Sequence, residues 1–292
     1  MQREVSRSMT DRQGRALLES CDCATAQGKR DAARLRSAAS ASASAWLTAT
    51  PGPTTRMGDE TFVLGGRHRV GLEIPTSVDV PPCLCGAAGA STPDHEMLCK
   101  HVAKMTQMRH DIVVSAVRRV VSRAACPSSL EPSYRALAAR QQAVAQPPQQ
   151  RAAQAVPAAA GRGQAAPAAP TPPARQQQRQ QQQQQQRADP GQRRGDILAV
   201  LPGGQIDTVD VVVTHPVQHA TLKGASEHAG HAAQRAEDGK VRAFRKFADA
   251  GQYEFVPFAL ESYGRLGVSG QYFLKRLGTL PRGAATSLSL PS

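Results

Sequence analysis

The chain has 292 residues, a formal net charge of +13 at pH 7, and only 4% aromatic residues. This length allows one or two domains, but the scarcity of aromatic side chains limits the size of the core. The polar first residues carry no secretory signal and no apolar run reaches membrane-span length, so we expect neither a secreted protein nor a membrane partner. The positive charge favours nucleic acid as partner, and a reducing compartment favours metal sites over disulfides for the six cysteines.

The N-terminal part of the chain gives weak signals. Residues 1–30 show no clear periodicity and are expected to be a disordered tail. Residues 31–82 are expected to form a helical or irregular support segment that packs on its neighbour. Within it, the sequence predicts a short helix that ends near Leu35 and helical pieces at 60–64 and 67–72.

Residues 83–99 carry a pattern of possible metal ligands, C-x-C-x9-H-x3-C. Two cysteines on a turn, followed by a histidine and a cysteine one helical turn apart, can surround a tetrahedral zinc ion. With four protein ligands such a site is closed and therefore structural. The one-residue gap in the first pair is shorter than usual, and unrelated buried thiols are the alternative. The predicted zinc ligands are Cys83, Cys85, His95 and Cys99.

Residues 100–135 are expected to contain the first core helix, because apolar residues recur every three or four positions over 100–125. Pro127 is expected to end this helix. Arg109 lies on the apolar face and His110 at its margin. Polar residues in such positions are either satisfied structural groups or site residues that face a cleft.

Residues 136–192 are a low-complexity segment of alanine, glutamine, proline and arginine, with a glutamine run at 180–186. The segment has no periodic apolar face to offset the cost of ordering the chain, so we expect a disordered basic insertion. A tolerated spacer is one interpretation. A segment that recruits protein partners is the other.

Residues 196–216 predict a β-hairpin with an aspartate in each strand. If residues 202–204 form a three-residue loop, Leu201 faces Gln205 and Asp196 lies directly opposite Asp210. Opposed side chains share one face about 5 Å apart, where two carboxylates repel unless a cation such as Mg²⁺ or Mn²⁺ lies between them. The alternative is an aspartate at a strand end and a satisfied core aspartate.

The rest of the chain predicts a helix, a strand and a last helix. In the helix expected over 225–250, Lys240 lies on the apolar stripe and needs a partner, which the two aspartates or a phosphate would provide, unless it snorkels. Residues 253–260 predict a strand, in which Pro257 indicates an edge or a bulge. The last helix is expected at Ser269–Leu277, and residues 281–292 are expected to be a disordered tail.

Together these predictions give an α+β fold with the αββαβ order of the PD-(D/E)xK nuclease core, within residues 100–135 and 193–280. The chain resembles the restriction-like endonuclease domain at the C-terminal end of some non-LTR retrotransposon reverse transcriptases, above all those of green algae. It departs from the family pattern at Gly195, which stands in place of proline, and at Asp111, in place of asparagine. The resemblance is carried by the four zinc ligands, the Arg109-His110-Asp111 motif, Arg194-Gly195-Asp196-Ile197, Val209-Asp210-Val211, Lys240 and the run at 255–267.

The resemblance implies a metal-dependent DNA endonuclease that nicks DNA so that the 3′ hydroxyl primes reverse transcription. It implies Mg²⁺ or Mn²⁺ on Asp196 and Asp210, with Lys240 as catalytic lysine, beside structural zinc. Arg109, His110 and Arg194 would bind nucleic acid. DNA and, in an intact retrotransposon, its RNA would be the partners, and the location nuclear. No Tyr-x-Asp-Asp motif of a reverse transcriptase is present, so the chain resembles a detached fragment.

An alternative function follows from the same residues. A remnant of such a nuclease, which keeps the zinc site of residues 83–99 and the basic segments around the core but has lost catalysis, would bind nucleic acid without cutting it.

Overall fold

The structure is a computed structural model that describes residues 12–50, 52, 56–72, 83, 85–86, 93–99, 103–130, 195–248 and 253–280. The predicted insertion, residues 1–11 and 281–292 of the predicted tails, and Arg194 lie outside the described residues. Within those ranges, no helix has both the length and the apolar character that a bilayer span requires.

The described elements follow in chain order. After a helical stretch at 12–19, the N-terminal helices are α1 (Ala26–Ala38), α2 (Ala41–Thr48), α3 (Asp59–Val70), α4 (Pro93–Leu98) and α5 (Ala103–Arg123). They are followed by β1 (Ser128–Leu130), β2 (Ile197–Val200), β3 (Ile206–Thr214), α6 (Leu222–Glu227), α7 (His231–Ala248), β4 (Tyr253–Glu261) and α8 (Val268–Gly278).

The strands form one four-stranded mixed sheet in the order β1-β2-β3-β4, which confirms the α+β class. The first three strands are antiparallel neighbours, and β4 runs parallel to β3. The element order differs from the expected αββαβ by an extra strand, β1, between α5 and β2, and by two helices, α6 and α7, where one was expected. Residues 100–135 are therefore a helix followed by a strand. Strand β4 lies at an edge of the sheet, as Pro257 predicted.

The hairpin register is confirmed. Ile197 pairs with Val209, and the Asp196 amide, just before β2, donates to the Val209 carbonyl over 3.0 Å, which places Asp196 beside Asp210. The Leu201 amide donates to the Gln205 carbonyl over 2.8 Å, so the loop has three residues. Its two glycines have φ values of +88° and +83°, a region where a side chain would be strained.

The core lies on the face of the sheet that α5 and α8 cover. Alternation along β3 directs Val209 and Val211 to this face and Asp210 to the other, where α7 packs. On the α7 side, Phe244 packs with Tyr253. The buried members of the main core are Val117, Val121, Cys126, Ile197, Ala199, Leu201, Val209, Val211, Val256, Phe258, Phe273 and Leu277.

The helix expected over 225–250 is two helices, α6 and α7. Gly230, with a φ of +83°, lies in the break between them. The break is local, because the periodic apolar face of alanines continues through α7 and keeps Lys240 directed at the sheet. The last helix, α8, begins one residue earlier and ends one residue later than expected.

The N-terminal predictions need correction. Helix α1 begins at Ala26, inside the expected disordered tail, and residues 12–19 are also helical. The Thr25 hydroxyl caps α1 by accepting from the Gly28 amide. The two short pieces expected at 60–64 and 67–72 form the single helix α3.

The support segment packs on the second half of the chain. Helix α1 lies against α6, and Arg36 Nε donates to the Ser226 carbonyl over 2.9 Å. In return, Arg265 Nη2 donates to the Arg36 carbonyl over 2.7 Å. These contacts tie α1 to the chain that flanks β4.

Candidate metal centres

The structure brings together the four predicted zinc ligands, here named the Cys/His cluster. Cys83 and Cys85 lie at a turn closed by the Gly86 amide, which donates to the Cys83 carbonyl, and Gly86 has a φ of +71°. His95 lies in α4 and Cys99 directly after it, with the Cys99 amide bonded to the His95 carbonyl. This is the predicted turn followed by a pair one helical turn apart.

The ligand atoms of the Cys/His cluster fit a tetrahedral metal. All four lie within 4.8 Å of one another. The Cys83 and Cys99 sulfurs are 3.4 Å apart, as are Cys85 Sγ and His95 Nε2. Around zinc, with bonds of 2.0–2.3 Å, ligand atoms stand roughly 3.5–3.8 Å apart. The cluster can therefore hold a metal ion such as zinc after small shifts of the ligands.

The crowding of sulfurs affects the Cys83 thiol. A backbone hydrogen bond from Cys85 lowers its pKa, but the Cys85 and Cys99 side chains outweigh this and the pKa lies above its usual value. A metal cation would reverse this effect because it stabilises the thiolates.

A polar network fixes the Cys/His cluster to the sheet through Asp94, the residue before His95. We name it the Asp94 network: Arg34, Asp94, His215 and Tyr263. Asp94 accepts from the Tyr263 hydroxyl over 2.7 Å and from Arg34 Nη2 over 3.1 Å. The His215 Nε2 lies 3.6 Å from the same carboxylate. Although burial raises the pKa of Asp94, these partners hold it well below its usual range.

The second centre is a carboxylate site on the α7 face of the sheet, formed by Asp196, Asp210, Lys240 and His110. Lys240 Nζ donates to Asp210 Oδ1 over 2.8 Å, so the inward lysine reaches the predicted partner. His110 Nε2 and the Val211 amide donate to Asp196 Oδ2 over 3.2 and 2.6 Å. Three sequence-distant parts of the chain therefore meet at one point.

Electrostatics separates the two aspartates. Burial raises the pKa of Asp210 to about 6, since the effect of Lys240 only partly offsets the burial and the adjacent Asp196 adds to it. Burial also raises the pKa of Asp196, but the bonds from His110 and Val211 outweigh it and the net shift is downward.

His110 carries the charge that balances Asp196. Its two ring nitrogens contact the Asp196 and Asp111 carboxylates, each over 3.2 Å. Carboxylates only accept hydrogen bonds, so both nitrogens donate and the ring is an imidazolium. The bond to Asp196 is the main cause that raises the pKa of His110 to about 9, against the lowering effect of burial.

Asp210 keeps one carboxylate oxygen without a hydrogen-bond partner among the described residues. The residue is 3% exposed, and its Oδ2 is buried and unsatisfied. On Asp196, which lies next to Asp210, the bonds from His110 and Val211 both go to Oδ2. Two adjacent carboxylates, one of them with an unsatisfied buried oxygen, are a fitting donor set for a hard divalent cation.

The other predicted nucleic-acid ligands lie elsewhere. Arg109 turns towards α4, where Nη1 contacts Met97 Sδ over 3.0 Å and Nη2 donates to Thr106 Oγ1 over 3.2 Å. It is placed between α4 and α5, away from the two carboxylates. Arg194 lies outside the described residues.

Sequence reasoning missed a buried ion pair and the Asp94 network. Asp207 is fully buried and pairs with Arg276 of α8, which also donates to Glu254 Oε2 over 2.8 Å. The signal for Asp207 was available, since it lies on the same face of β3 as Val209. The partners of Asp94 come from α1, the end of β3 and the turn after β4, and no local pattern links these segments.

Fold and site together define a mixed α+β protein with a four-stranded sheet and a Cys/His cluster able to hold a metal ion such as zinc. Comparison with known proteins adds no family: no protein-family model, curated protein or solved structure matches the chain.

Proposed function

We propose that the protein is a metal-dependent DNA endonuclease of the PD-(D/E)xK type, derived from a non-LTR retrotransposon. The observation that carries the proposal is the convergence of Asp196, Asp210 and Lys240 on one face of the hairpin, with an unsatisfied buried oxygen on Asp210. The order of elements supports it, since it matches the expected core with one added strand and with two helices in place of one.

In the proposed reaction, the Asp196 and Asp210 carboxylates would hold Mg²⁺ or Mn²⁺. The bound ion would lower the pKa of its water and neutralise charge on the scissile phosphate. Lys240, held by Asp210, orients the attacking water or stabilises the negative charge that develops on the phosphate. The His110 imidazolium offers a charge-assisted donor to a phosphate oxygen once a cation competes for Asp196.

The proposed partner is DNA, which the net charge of +13 favours, and the retrotransposon's own RNA is a second proposed ligand. The proposed location is nuclear, where such an element nicks its target. The Cys/His cluster would hold structural zinc and keep α4 against the Asp94 network.

A second candidate function is a catalytically inactive nucleic-acid-binding remnant. One observation favours it: Lys240 and His110 already neutralise the two aspartates, as they would in a purely structural ion-pair network. The Cys/His cluster and the basic charge would then serve binding alone.

The experiment that separates the two functions is nicking of supercoiled plasmid by zinc-loaded protein, with and without added Mg²⁺ or Mn²⁺. We expect metal-dependent nicking that Asp210→Asn reduces at least a hundredfold. Asp238→Asn, an exposed carboxylate on α7, is the matched control and should retain activity. DNA binding without nicking by the unmodified protein supports the remnant, and nicking that survives Asp210→Asn rejects the proposed site.

A further inference from the structure

A cavity of about 390 Å³ lies between α2, α3 and the turn that follows β4, and it shares Tyr263 with the Asp94 network. This volume is within the range of small-molecule sites, roughly 300–1,000 Å³. We name it the Trp46 cavity. Its principal lining residues are Ser42, Trp46, Met57, His68, Arg69 and Tyr263.

Three flat rings contribute to the cavity wall, those of Trp46, His68 and Tyr263. Trp46 is fixed by an edge contact with Phe62, with ring centroids 5.3 Å apart and planes at 70°. On the α3 side, His68 packs against Tyr263 with centroids 5.0 Å apart and planes tilted by 36°. Rings that neighbouring side chains already hold in place lose little conformational entropy when a planar ligand binds. This low cost favours stacking of a planar ligand on the ring.

Polar groups of the cavity are of two kinds. Arg69 is held by the scaffold, since it donates to the Ala38 and Ala43 carbonyls and to Ser44 Oγ. His68 is free of this role: its Nε2 makes no hydrogen bond to the described residues. Burial lowers the pKa of His68 to about 4, so its ring is neutral at pH 7 and can exchange a hydrogen bond with an uncharged ligand.

The cavity lies at the end of the sheet towards which β3 and β4 both run. Thr214, the last residue of β3, is paired with Glu261, and the cavity-lining turn begins at the next residue, Ser262. Thr214 lies four positions after Asp210 on β3, a distance of about 13 Å at about 3.3 Å per residue. A polynucleotide on the carboxylate site could therefore reach the cavity within a few nucleotides.

We propose that the Trp46 cavity binds an unpaired nucleobase, stacked on Trp46 and hydrogen-bonded at its edge. The inference rests on the proposed function for its ligand class, because a chain that handles DNA is the reason to expect a base. A stacking surface such as the Trp46 ring suits every base, since each base has a π face, so little sequence preference is expected. Arg56, exposed and directly before Met57 in the chain, is placed to meet the attached phosphate at the rim.

Trp46 is the only tryptophan, so selectively excited tryptophan fluorescence reports on this cavity alone. The experiment titrates the protein, without Mg²⁺ or Mn²⁺, with a ten-residue oligo-dT and separately with dTMP. We expect saturable quenching by the oligonucleotide. If dTMP quenches at concentrations similar to those of the oligonucleotide, the ligand is a free nucleotide. If dTMP quenches much more weakly, the ligand is a base within a single strand.

Two variants test the cavity by binding of a dye-labelled oligo-dT. Trp46→Ala should weaken binding about tenfold, in line with the loss of one stacked base, and Trp46→Phe should restore most of it. Gly65→Leu is a second variant, which tests the cavity even if the alanine variant misfolds. A Cβ at Gly65 lies 3.7 Å from the Trp46 ring, so the longer side chain fills the cavity and leaves the fluorophore in place. In that variant the quenching should disappear.

Failure of this proposal is distinguishable from failure of the proposed function. Absence of quenching, or quenching that persists in Gly65→Leu, overturns the cavity proposal whether or not the protein nicks plasmid. Quenching in a protein that never nicks supports the base site and leaves the inactive remnant as the function. Asp238→Asn, the control variant on α7, should quench as the unmodified protein does.

Discussion

Buried carboxylates in this protein differ at the residue scale by what they contact. Glu237 and Glu261 each accept a backbone amide from the first turn of a helix, α8 and α7 respectively, and so act as structural caps. Asp196 and Asp210 contact cationic side chains, and they lie side by side on one face of the sheet. Adjacent carboxylates that both contact cationic side chains suit the proposed divalent-cation site.

His68 gives a pH dependence of stability with a definite sign. The folded state holds its pKa at about 4, mainly by burial and next by the nearby His215, with Arg34 and Arg109 in the same direction and Asp94 opposed. Unfolded, the pKa is about 6.5. The unfolded state therefore binds more protons between these values, and stability falls as pH drops from 6.5 to 4.

We predict that His68→Phe, which keeps the ring stacked on Tyr263, removes this loss. Relative to the unmodified protein, the variant should gain on the order of 1–3 kcal/mol of unfolding free energy between pH 6.5 and pH 4.5. Urea unfolding of both proteins at the two pH values measures this gain. The contributions of the other titrating groups are the same in both proteins and cancel in the difference. A gain equal at both pH values would assign the effect to packing instead.

At the element scale, the hairpin was predictable because turn chemistry fixes register. A Pro-Gly-Gly loop of three residues determines which residues are opposed, and the hydrophobic pattern determines the face. Lys240 was predictable as inward because it lies on a periodic stripe. Local pattern therefore identified both strands and the helix that carry the carboxylate site.

Other elements were not predictable from local pattern. Strand β1 has only three residues, Ser128–Leu130, and exists because β2 offers it an edge to pair with. The break between α6 and α7 depends on one glycine among residues that favour helix. The contacts of Asp94 join residues 60 to 169 positions apart, a distance at which sequence periodicity carries no information.

Substitution by alanine should change the stability of the protein in opposite directions at two glycines, Gly267 and Gly239. At Gly267, the N-cap of α8, a Cβ would overlap Glu237 Oε1, which would then release the Ser269 amide. At Gly239 in α7, nothing lies within 4 Å of the added methyl. We expect Gly267→Ala to destabilise by about 1–3 kcal/mol and Gly239→Ala to stabilise by about 0.5–1 kcal/mol in urea unfolding. The same sign for both would contradict the assigned role of Glu237.

The Cys/His cluster should bind one zinc per chain. Cys99→Ser should lose the metal and release α4, and with it the Asp94 contacts to Arg34 and Tyr263. We expect the melting temperature to fall by about 4–8 °C, which corresponds to roughly 2 kcal/mol for a protein of this size. Cys23→Ser, an exposed cysteine outside the cluster, is the control.

Zinc content by elemental analysis and melting by circular dichroism measure both effects. Retention of a full equivalent of zinc in Cys99→Ser would show that the metal lies elsewhere. Zinc loss without a change in melting would show that the cluster does not support the Asp94 network.

At the scale of the whole molecule, the two halves of the sequence form one sheet. Strand β1 precedes the low-complexity segment and β2 follows it, yet Leu130 pairs directly with Ile197. The segment therefore closes a loop between adjacent antiparallel strands. Because the closure entropy of a loop grows only with the logarithm of its length, an insertion at this position is inexpensive.

The last prediction follows from that pairing. Replacing residues 133–193 with a short glycine-containing turn should preserve the fold and stabilise it by about 2 kcal/mol, since each halving of the loop contributes about 0.6 kcal/mol. Urea unfolding measures the gain, and plasmid nicking should be unchanged. If the shortened protein unfolds without cooperativity, the β1–β2 pairing needs the segment; if it folds but has lost its function, the segment recruits a partner and is more than a spacer.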